Sequence, residues 1–179
     1  METKKALTFV LLAIALATGA CRGKNGQPAV QNEEAPARPV SFVKMNDVTA
    51  SAQLLNGFYG VEAGAWRWTT GKFSVLLATP VGAAQNGGTL TFSLALPDGL
   101  TKKLGKITLT ASVNGKALGS KSYEADGAAD FTADVPKELL TGDSITVEFA
   151  LDKHMAPGTA GGDKRDLGVI ANSVGLASK

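Results

Sequence analysis

The chain has 179 residues, of which 44% are hydrophobic and 19% charged, and its 21 glycines and 7 prolines indicate many turns. This length allows one folded domain with a substantial hydrophobic core. A formal net charge of +2 gives no electrostatic reason to expect nucleic acid as a partner. One cysteine and one histidine exclude an intramolecular disulfide and a zinc site built only from those two residue types.

The first 20 residues are predicted to be a secretory signal peptide. Lys4 and Lys5 form a basic start, residues 6–17 are apolar apart from Thr8, and the small residues 18–20 precede Cys21. The apolar stretch is shorter than the roughly 20 residues that a membrane span needs.

Residues 18–21 resemble a bacterial lipobox, with Thr18 at the position that usually holds leucine. The resemblance implies diacylglyceryl transfer to the Cys21 thiol, cleavage before Cys21 and acylation of the new amino group. Several acyl chains, at about 0.8 kcal/mol per buried methylene, would hold the protein stably on a membrane. Arg22 favours the outer membrane, so we expect a lipid-anchored protein of the bacterial cell envelope. Ordinary secretion or an uncleaved anchor are the alternatives.

Residues 21–40 are expected to comprise the lipidated cysteine and a flexible linker. Pro28, Pro36 and Pro39 lie in this segment, and it has almost no large apolar side chain that could offset the entropy of ordering. The β-rich domain is therefore assigned to residues 41–179.

The body of the chain reads as β-strands. From about residue 72 onward, large apolar residues recur at every second position, which is typical of half-buried antiparallel strands. Alternating runs occupy residues 90–96, 107–113, 131–135 and 145–151. Residues 73–78 are more evenly apolar, which favours a central strand, and residues 167–176 form a last candidate strand.

Turn residues separate these runs. Asn114-Gly115 predicts a two-residue hairpin because both residues tolerate a positive φ. Residues 97–99 and 141–143 have turn chemistry, and residues 136–140 could form one helical turn. The predicted class is all-β: an antiparallel β-sandwich of jelly-roll type.

Three motifs occur in order along the body of the chain. Glu62 leads into Arg67-Trp68-Thr69, Val113-Asn114-Gly115 follows, and the run from Asp163 to Val169 closes the series. Together they resemble a jelly-roll accessory domain of bacterial envelope and polysaccharide-related proteins, where it often accompanies membrane glycosyltransferases. The resemblance covers about residues 57–178. It implies the fold of galactose-binding-like carbohydrate modules and a sugar-rich setting.

Trp66 and Trp68 are the two tryptophans of the chain. Two positions apart on a strand, they point to the same face, and Arg67 points to the other. If exposed, the two indoles would form a platform for sugar rings; if buried, they belong to the core.

Four charged residues carry the family-like motifs: Glu62, Arg67, Asp163 and Arg165. They could form a polar cleft that binds sugar hydroxyls. The alternative is an internal ion-pair network that fastens the first strand to the last.

No catalytic residue is assigned. His154 is expected to be a solvated loop residue, because no Gly-x-Ser-x-Gly nucleophile elbow accompanies it. No carboxylate pair of the glycosidase kind, about 5–9.5 Å apart across a cleft, stands out. No cofactor is expected; a structural calcium ion would have loop carboxylates as its candidates, namely Asp126, Asp130, Asp163 and Asp166.

These observations favour a membrane-anchored, non-catalytic protein that binds carbohydrate or envelope polysaccharide through an exposed aromatic or polar groove. Its predicted ligand-binding residues are Glu62, Trp66, Arg67, Trp68, Asp163 and Arg165. The alternative is a structural or assembly lipoprotein that contacts another envelope protein through an apolar patch or an open sheet edge.

Overall fold

The computed structural model describes residues 38–179, so the predicted signal peptide, Cys21 and most of the predicted linker lie outside the described residues. Within residues 38–179 the chain forms nine strands, two short α-helices and two single 3-10 turns. The strands are β1 (Phe42–Lys44), β2 (Leu54–Glu62), β3 (Trp66–Ala78), β4 (Gly88–Leu96), β5 (Ile107–Val113), β6 (Lys116–Tyr123), β7 (Gly127–Val135), β8 (Ser144–Leu151) and β9 (Ile170–Ser178). The helices are α1 (Ala83–Asn86) and α2 (Leu100–Leu104), and the 3-10 turns lie at Ser51–Gln53 and Lys137–Leu139.

Every strand pairing is antiparallel, and the strands follow the order β6-β5-β8-β3-β9-β4-β7, with β2 paired to β3 and β1 to β9. The long strand β3 belongs to both halves of this path. Its residues 72–78 pair with β8, whereas Arg67 and Trp68 pair with β9. The path therefore folds into two layers at β3. The front layer consists of β2, β3, β8, β5 and β6, and the back layer consists of β1, β9, β4 and β7.

Aromatic side chains join the two layers in the core. Phe73 and Phe149 of the front layer stack with ring centroids 5.0 Å apart, and Phe149 also lies 5.0 Å from Phe92 and 6.2 Å from Phe131 of the back layer. All four rings are at most 2% exposed. The period-2 alternation of each strand places these residues inward and its polar neighbours outward. The predicted class, an all-β antiparallel sandwich, is confirmed, and its chain passes repeatedly from one layer to the other, as in a jelly roll.

The predicted hairpin at residues 114 and 115 is confirmed. Strand β5 ends at Val113 and β6 begins at Lys116, and Asn114 and Gly115 have φ angles of 51° and 74°. Two positive φ values are the requirement of a type I′ turn, which matches the twist of the strands that it joins.

One local prediction needs correction. The last strand begins at Ile170, not at Leu167, because Leu167 pairs with Met155 in an isolated bridge. The predicted turn at residues 97–99 is confirmed, and it leads into α2. The Asp126 carboxylate accepts hydrogen bonds from the Gly99 and Thr101 amides, at 2.6 and 2.8 Å, and so caps the start of that helix.

Candidate functional site

The tryptophan pair lies at the start of β3. The rings of Trp66 and Trp68 meet edge to face, with centroids 5.9 Å apart, so they share one face as expected. Both are half-buried, and Trp68 packs against the core. Glu62 is the cross-strand partner of Trp66 and therefore lies on the same side of the β2–β3 hairpin.

Arg67 does not join that surface. Its Nε donates to the Met45 carbonyl at 2.8 Å, and its Nη1 donates to the Tyr59 carbonyl at 2.9 Å. Arg67 therefore ties β3 to β2 and to the segment after β1 through backbone acceptors. Such charge-assisted bonds to carbonyls occupy much of the donor fork that a ligand would need.

The other three charged motif residues come together with Tyr59, and we call these four residues the Arg165 cluster. Arg165 Nη1 lies 2.6 Å from Glu62 Oε1, and Nη2 lies 2.8 Å from Asp163 Oδ2. The guanidinium also lies over the Tyr59 ring, 5.1 Å from its centroid. The cluster fastens the loop between β8 and β9 to strand β2, rather than the first strand to the last.

Electrostatics in the Arg165 cluster favour the charged forms. Side-chain and backbone hydrogen bonds from Arg165 lower the pKa of Asp163, and the bonds to Asp163 and Glu62 raise the pKa of Arg165. The three side chains are about one-third exposed, at 34%, 36% and 28% for Arg165, Glu62 and Asp163. Most of their hydrogen-bonding capacity is satisfied within the protein. Their assignment as ligand-binding residues, like that of Trp66, Arg67 and Trp68, stays a prediction.

A polar groove crosses the outer face of the front layer. Its first hollow has a volume of about 370 Å³ and is lined by outward side chains of β2, β3, β5 and β8, namely Asn56, Lys72, Ser74, Thr110, Ser112 and Glu148. Glu148 occupies the centre, because the strand register places it between Ser74 and Ser112. Ser112 Oγ donates to Glu148 Oε2 at 3.3 Å.

A second hollow of about 340 Å³ continues the first, because both are lined by Asn56 and Lys72. His154 and Asp166 close its far side, with His154 Nε2 lying 3.2 Å from Asp166 Oδ1. The Gly71 amide donates to Asp166 Oδ2 at 3.5 Å. We call the two hollows together the front groove. His154 therefore lines the groove from an exposed loop position, and the expectation of a solvated loop histidine is confirmed.

An apolar groove lies on the outer face of the back layer, with a volume of about 490 Å³. Phe42, Pro80 and Ala177 contribute its apolar surface, and Ser41, Thr89, Thr91, Gly175 and Leu176 complete the lining. We call it the back groove.

Three of the four candidate calcium ligands have side-chain roles of another kind where the structure describes them. Asp126 caps α2, Asp163 binds Arg165, and Asp166 contacts His154. Among residues 38–179, no group of three or more His, Cys, Asp or Glu side chains could hold a metal ion. No helix in that same range is long and apolar enough to span a membrane.

No protein-family model matches the chain, and no curated protein matches it. Several solved structures show a distant likeness. The chain is similar to part of BtGH115A, a family GH115 4-O-methyl-α-glucuronidase with specificity for decorated arabinogalactans, at 12% identity and a TM-score of 0.45. The match covers 81% of this chain and 18% of that one.

Two further similar structures contain carbohydrate-binding modules. One is the CBM36-1 domain of a multidomain xylanase from the hindgut metagenome of Trinervitermes trinervoides, at 16% identity and a TM-score of 0.39, covering 75% of this chain and 92% of that one. The other contains CBM51-2 of Clostridium perfringens ZmpB in complex with GlcNAc, at 9% identity and a TM-score of 0.37, covering 77% of this chain and 28% of that one. At these TM-scores the likeness carries no argument about what this chain binds.

Proposed function

We propose that this chain is a membrane-anchored, non-catalytic β-sandwich protein that binds a polysaccharide chain in the front groove. The observation that carries the proposal is the continuity of two polar hollows across one exposed sheet face, with Asn56 and Lys72 shared between them.

The chemistry of the front groove suits a ligand rich in hydroxyl groups. A sugar hydroxyl both donates and accepts hydrogen bonds, and the groove offers partners of every kind. Glu148 accepts, the Lys72 ammonium donates, and Asn56 and the Ser and Thr hydroxyls do both. Bonds to the charged groups are the stronger ones, so Glu148 and Lys72 carry most of the expected affinity.

The distribution of acids supports the proposal of binding rather than cleavage. Glu148 is the one carboxylate among the described residues that line the first hollow, and Asp166 of the second hollow already faces His154. A hydrolase of the usual kind needs two carboxyl groups facing one glycosidic bond.

The membrane anchor in this proposal is the acylated Cys21, and the expected location is the outer membrane of a bacterial envelope. The support is the resemblance of residues 18–21 to a lipobox and the apolar stretch before them. A tether between Cys21 and β1 would leave the front groove free to meet polymer outside the bilayer.

Polysaccharide binding is tested by titrating the protein with a panel of soluble polysaccharides and comparing Glu148→Ala and Asn56→Ala variants with the parent. Loss of a hydrogen bond to a charged group is expected to weaken binding by roughly 10- to 100-fold for Glu148→Ala. Both residues are exposed, so both variants should fold. Thr132→Ala, at an exposed position of the back layer, is the matched control and should bind like the parent.

A double variant, Trp66→Ala with Trp68→Ala, separates the two candidate surfaces. If it folds and loses binding while Glu148→Ala does not, the ligand lies on the tryptophan pair. If no polysaccharide binds the parent, the proposal is wrong.

The second candidate function is a structural lipoprotein that contacts an envelope protein. The back groove favours it, since an exposed apolar surface is what such a role requires. In that case the parent binds no polysaccharide, and the front-groove variants contact the envelope protein as the parent does.

A further inference from the structure

Three exposed apolar side chains cluster at the corner where the described chain begins. Val40 is 45% exposed, Phe42 is 53% exposed and Val81 is fully exposed. Phe42 and Pro80 line the back groove, and Val40 and Val81 lie two and one residues from them along the chain. The Val40 carbonyl accepts a hydrogen bond from the Ala78 amide at 3.1 Å, which fixes this entry segment beside the end of β3. We call Val40, Phe42 and Val81 the apolar corner.

Phe42 is held outward by its partner strand. It lies opposite Gly175 in the β1–β9 register, and its ring covers that glycine so closely that a Cβ on Gly175 would come within 2.6 Å of Phe42 Cδ2. Strand β1 is exposed, buried and exposed in turn, so Phe42 and Lys44 project from the same face.

We propose that the apolar corner rests on the interface of an anionic phospholipid bilayer, with Phe42, Val40 and Val81 entering the headgroup region. The proposal rests on the membrane anchor of the proposed function, and it adds a second, non-covalent contact that sets the orientation of the domain. Amphipathic surfaces that combine apolar and basic side chains bind at this depth.

The position of the corner in the chain supports this occupant. Cys21 and Arg38 are separated by 17 residue steps, which span at most about 60 Å at roughly 3.5 Å per residue. The corner begins two residues after Arg38, so of the whole domain this surface is attached most directly to the anchored end. The bilayer is therefore at high effective concentration at the corner.

The two basic side chains of the entry segment support an anionic surface. Arg38 and Lys44 are exposed and flank Val40 and Phe42 in sequence. Lys179 lies nearby on the back layer and is paired with Asp134 at 2.9 Å. Basic side chains next to a membrane are attracted to its anionic lipids over about one Debye length.

Docking at this corner would also give the front groove a direction. The apolar corner belongs to the entry segment, the back layer and the turn after β3, whereas the front groove opens on the opposite layer. A domain that rests on its back corner turns the front groove toward the polymer outside the membrane.

The test uses the full chain, produced in a bacterium and reconstituted into vesicles that contain phosphatidylglycerol. Cys21 is the one cysteine of the sequence, and in the proposal its sulfur is acylated, so an introduced cysteine is the one thiol that reacts. A polarity-sensitive fluorophore is placed at Val81→Cys, and the matched control carries it at Ser120→Cys, an exposed position on β6 of the front layer.

We expect the label at position 81, but not the label at position 120, to shift to shorter emission wavelength and to be quenched by spin-labelled lipid. The charge reversals Arg38→Glu and Lys44→Glu, or vesicles of phosphatidylcholine alone, should weaken the quenching at position 81. Because salt screens charges and leaves apolar contacts in place, high salt should weaken the quenching at position 81 only in part.

The possible outcomes separate this proposal from the anchor. If the protein floats with the vesicles but both labels report water, docking is wrong and the anchor stands. If the protein does not float, or if the parent reacts with the thiol reagent, the anchor fails and docking fails with it. If position 81 is shielded in native membranes but not in pure lipid vesicles, a protein covers the corner and the lipid assignment is wrong.

Discussion

Arg165 makes more side-chain contacts than any other charged residue of the family-like motifs. It binds two carboxylates and covers the Tyr59 ring, and through them it holds the β8–β9 loop against β2. The same loop carries His154 and Asp166, which close the far end of the front groove. The Arg165 cluster therefore positions part of the groove without lining it.

Acid is expected to loosen this loop. Arg165 lowers the pKa of Asp163, so the ion pair stabilises the fold above the ordinary carboxyl pKa, and that contribution is lost as the pH falls through the lowered value. Protection factors for amide hydrogen exchange in residues 152–169, which correct for the intrinsic slowing of exchange in acid, should fall at low pH in the parent. An Asp163→Asn variant should exchange faster already at neutral pH and show less acid dependence. Equal protection in both proteins at neutral pH would contradict the role given to Asp163.

Tyr123 is expected to titrate late. Burial, and then the charge of Asp130, raise its pKa from 10.0 to about 12, and its hydroxyl donates to the Asp130 carbonyl at 3.3 Å. Between pH 10 and 12 the unfolded chain releases this proton and the folded protein keeps it, so stability falls as the pH rises through that window. The phenolate absorbance step near pH 12 should be missing in Tyr123→Phe. A parent that shows no such step would contradict the burial assigned to this phenol.

The hairpin between β5 and β6 depends on its turn. Gly115 has a φ of 74°, a conformation that costs an L-residue about 1–2 kcal/mol. Gly115→Ala should lower the free energy of unfolding by about 1 kcal/mol, measured by denaturant titration. Lys116→Ala, one residue later and exposed, is the matched control and should change it little. If both substitutions lowered the free energy of unfolding equally, the positive φ at position 115 would not be the cause of the loss.

Strands with one buried face could be predicted from sequence, because apolar residues at every second position mark the side chains that face the core. Strands β4, β5 and β8 follow their predicted runs closely. Strand β2 could not be predicted in this way, since its pairing with β3 has three register shifts and its burial does not alternate. The start of β9 was misplaced because the apolar residues before it are buried by other contacts: the Thr69 amide donates to the Val169 carbonyl, and Gly168 donates back to Thr69.

The candidate site was harder to predict than the fold. Glu148, Ser112 and Ser74 appear in sequence only as the outward halves of three alternating strands. Strand register is what brings them side by side, and a single sequence does not specify which strands are neighbours. The tryptophan and arginine motifs were conspicuous because of their residue types. The structure gives both Arg67 and Arg165 partners within the protein.

A cluster of phenylalanine rings in the core holds the two layers of the whole sandwich together. Phe149 contacts Phe73 in its own layer and Phe92 and Phe131 in the other, so it joins both sheets. Phe149→Ala should lower the free energy of unfolding by about 3–5 kcal/mol, a large part of the 5–15 kcal/mol typical of a domain. Thr146→Ala, on the outward face of the same strand, is the control. Equal midpoints of urea unfolding for the two variants would contradict this assignment.

The order of the strands has a consequence for biosynthesis. Strand β9 lies in the middle of the sheet path, between β4 on one side and β1 with β3 on the other. Until residue 178 has left the ribosome, β4 on one side and β1 with β3 on the other lack β9 as their pairing partner. The front and back layers are therefore not yet joined by that strand. Such long-range pairing is slow to form. A nascent chain of this topology therefore stays open to chaperones and to passage through a translocation pore until its last strand is made.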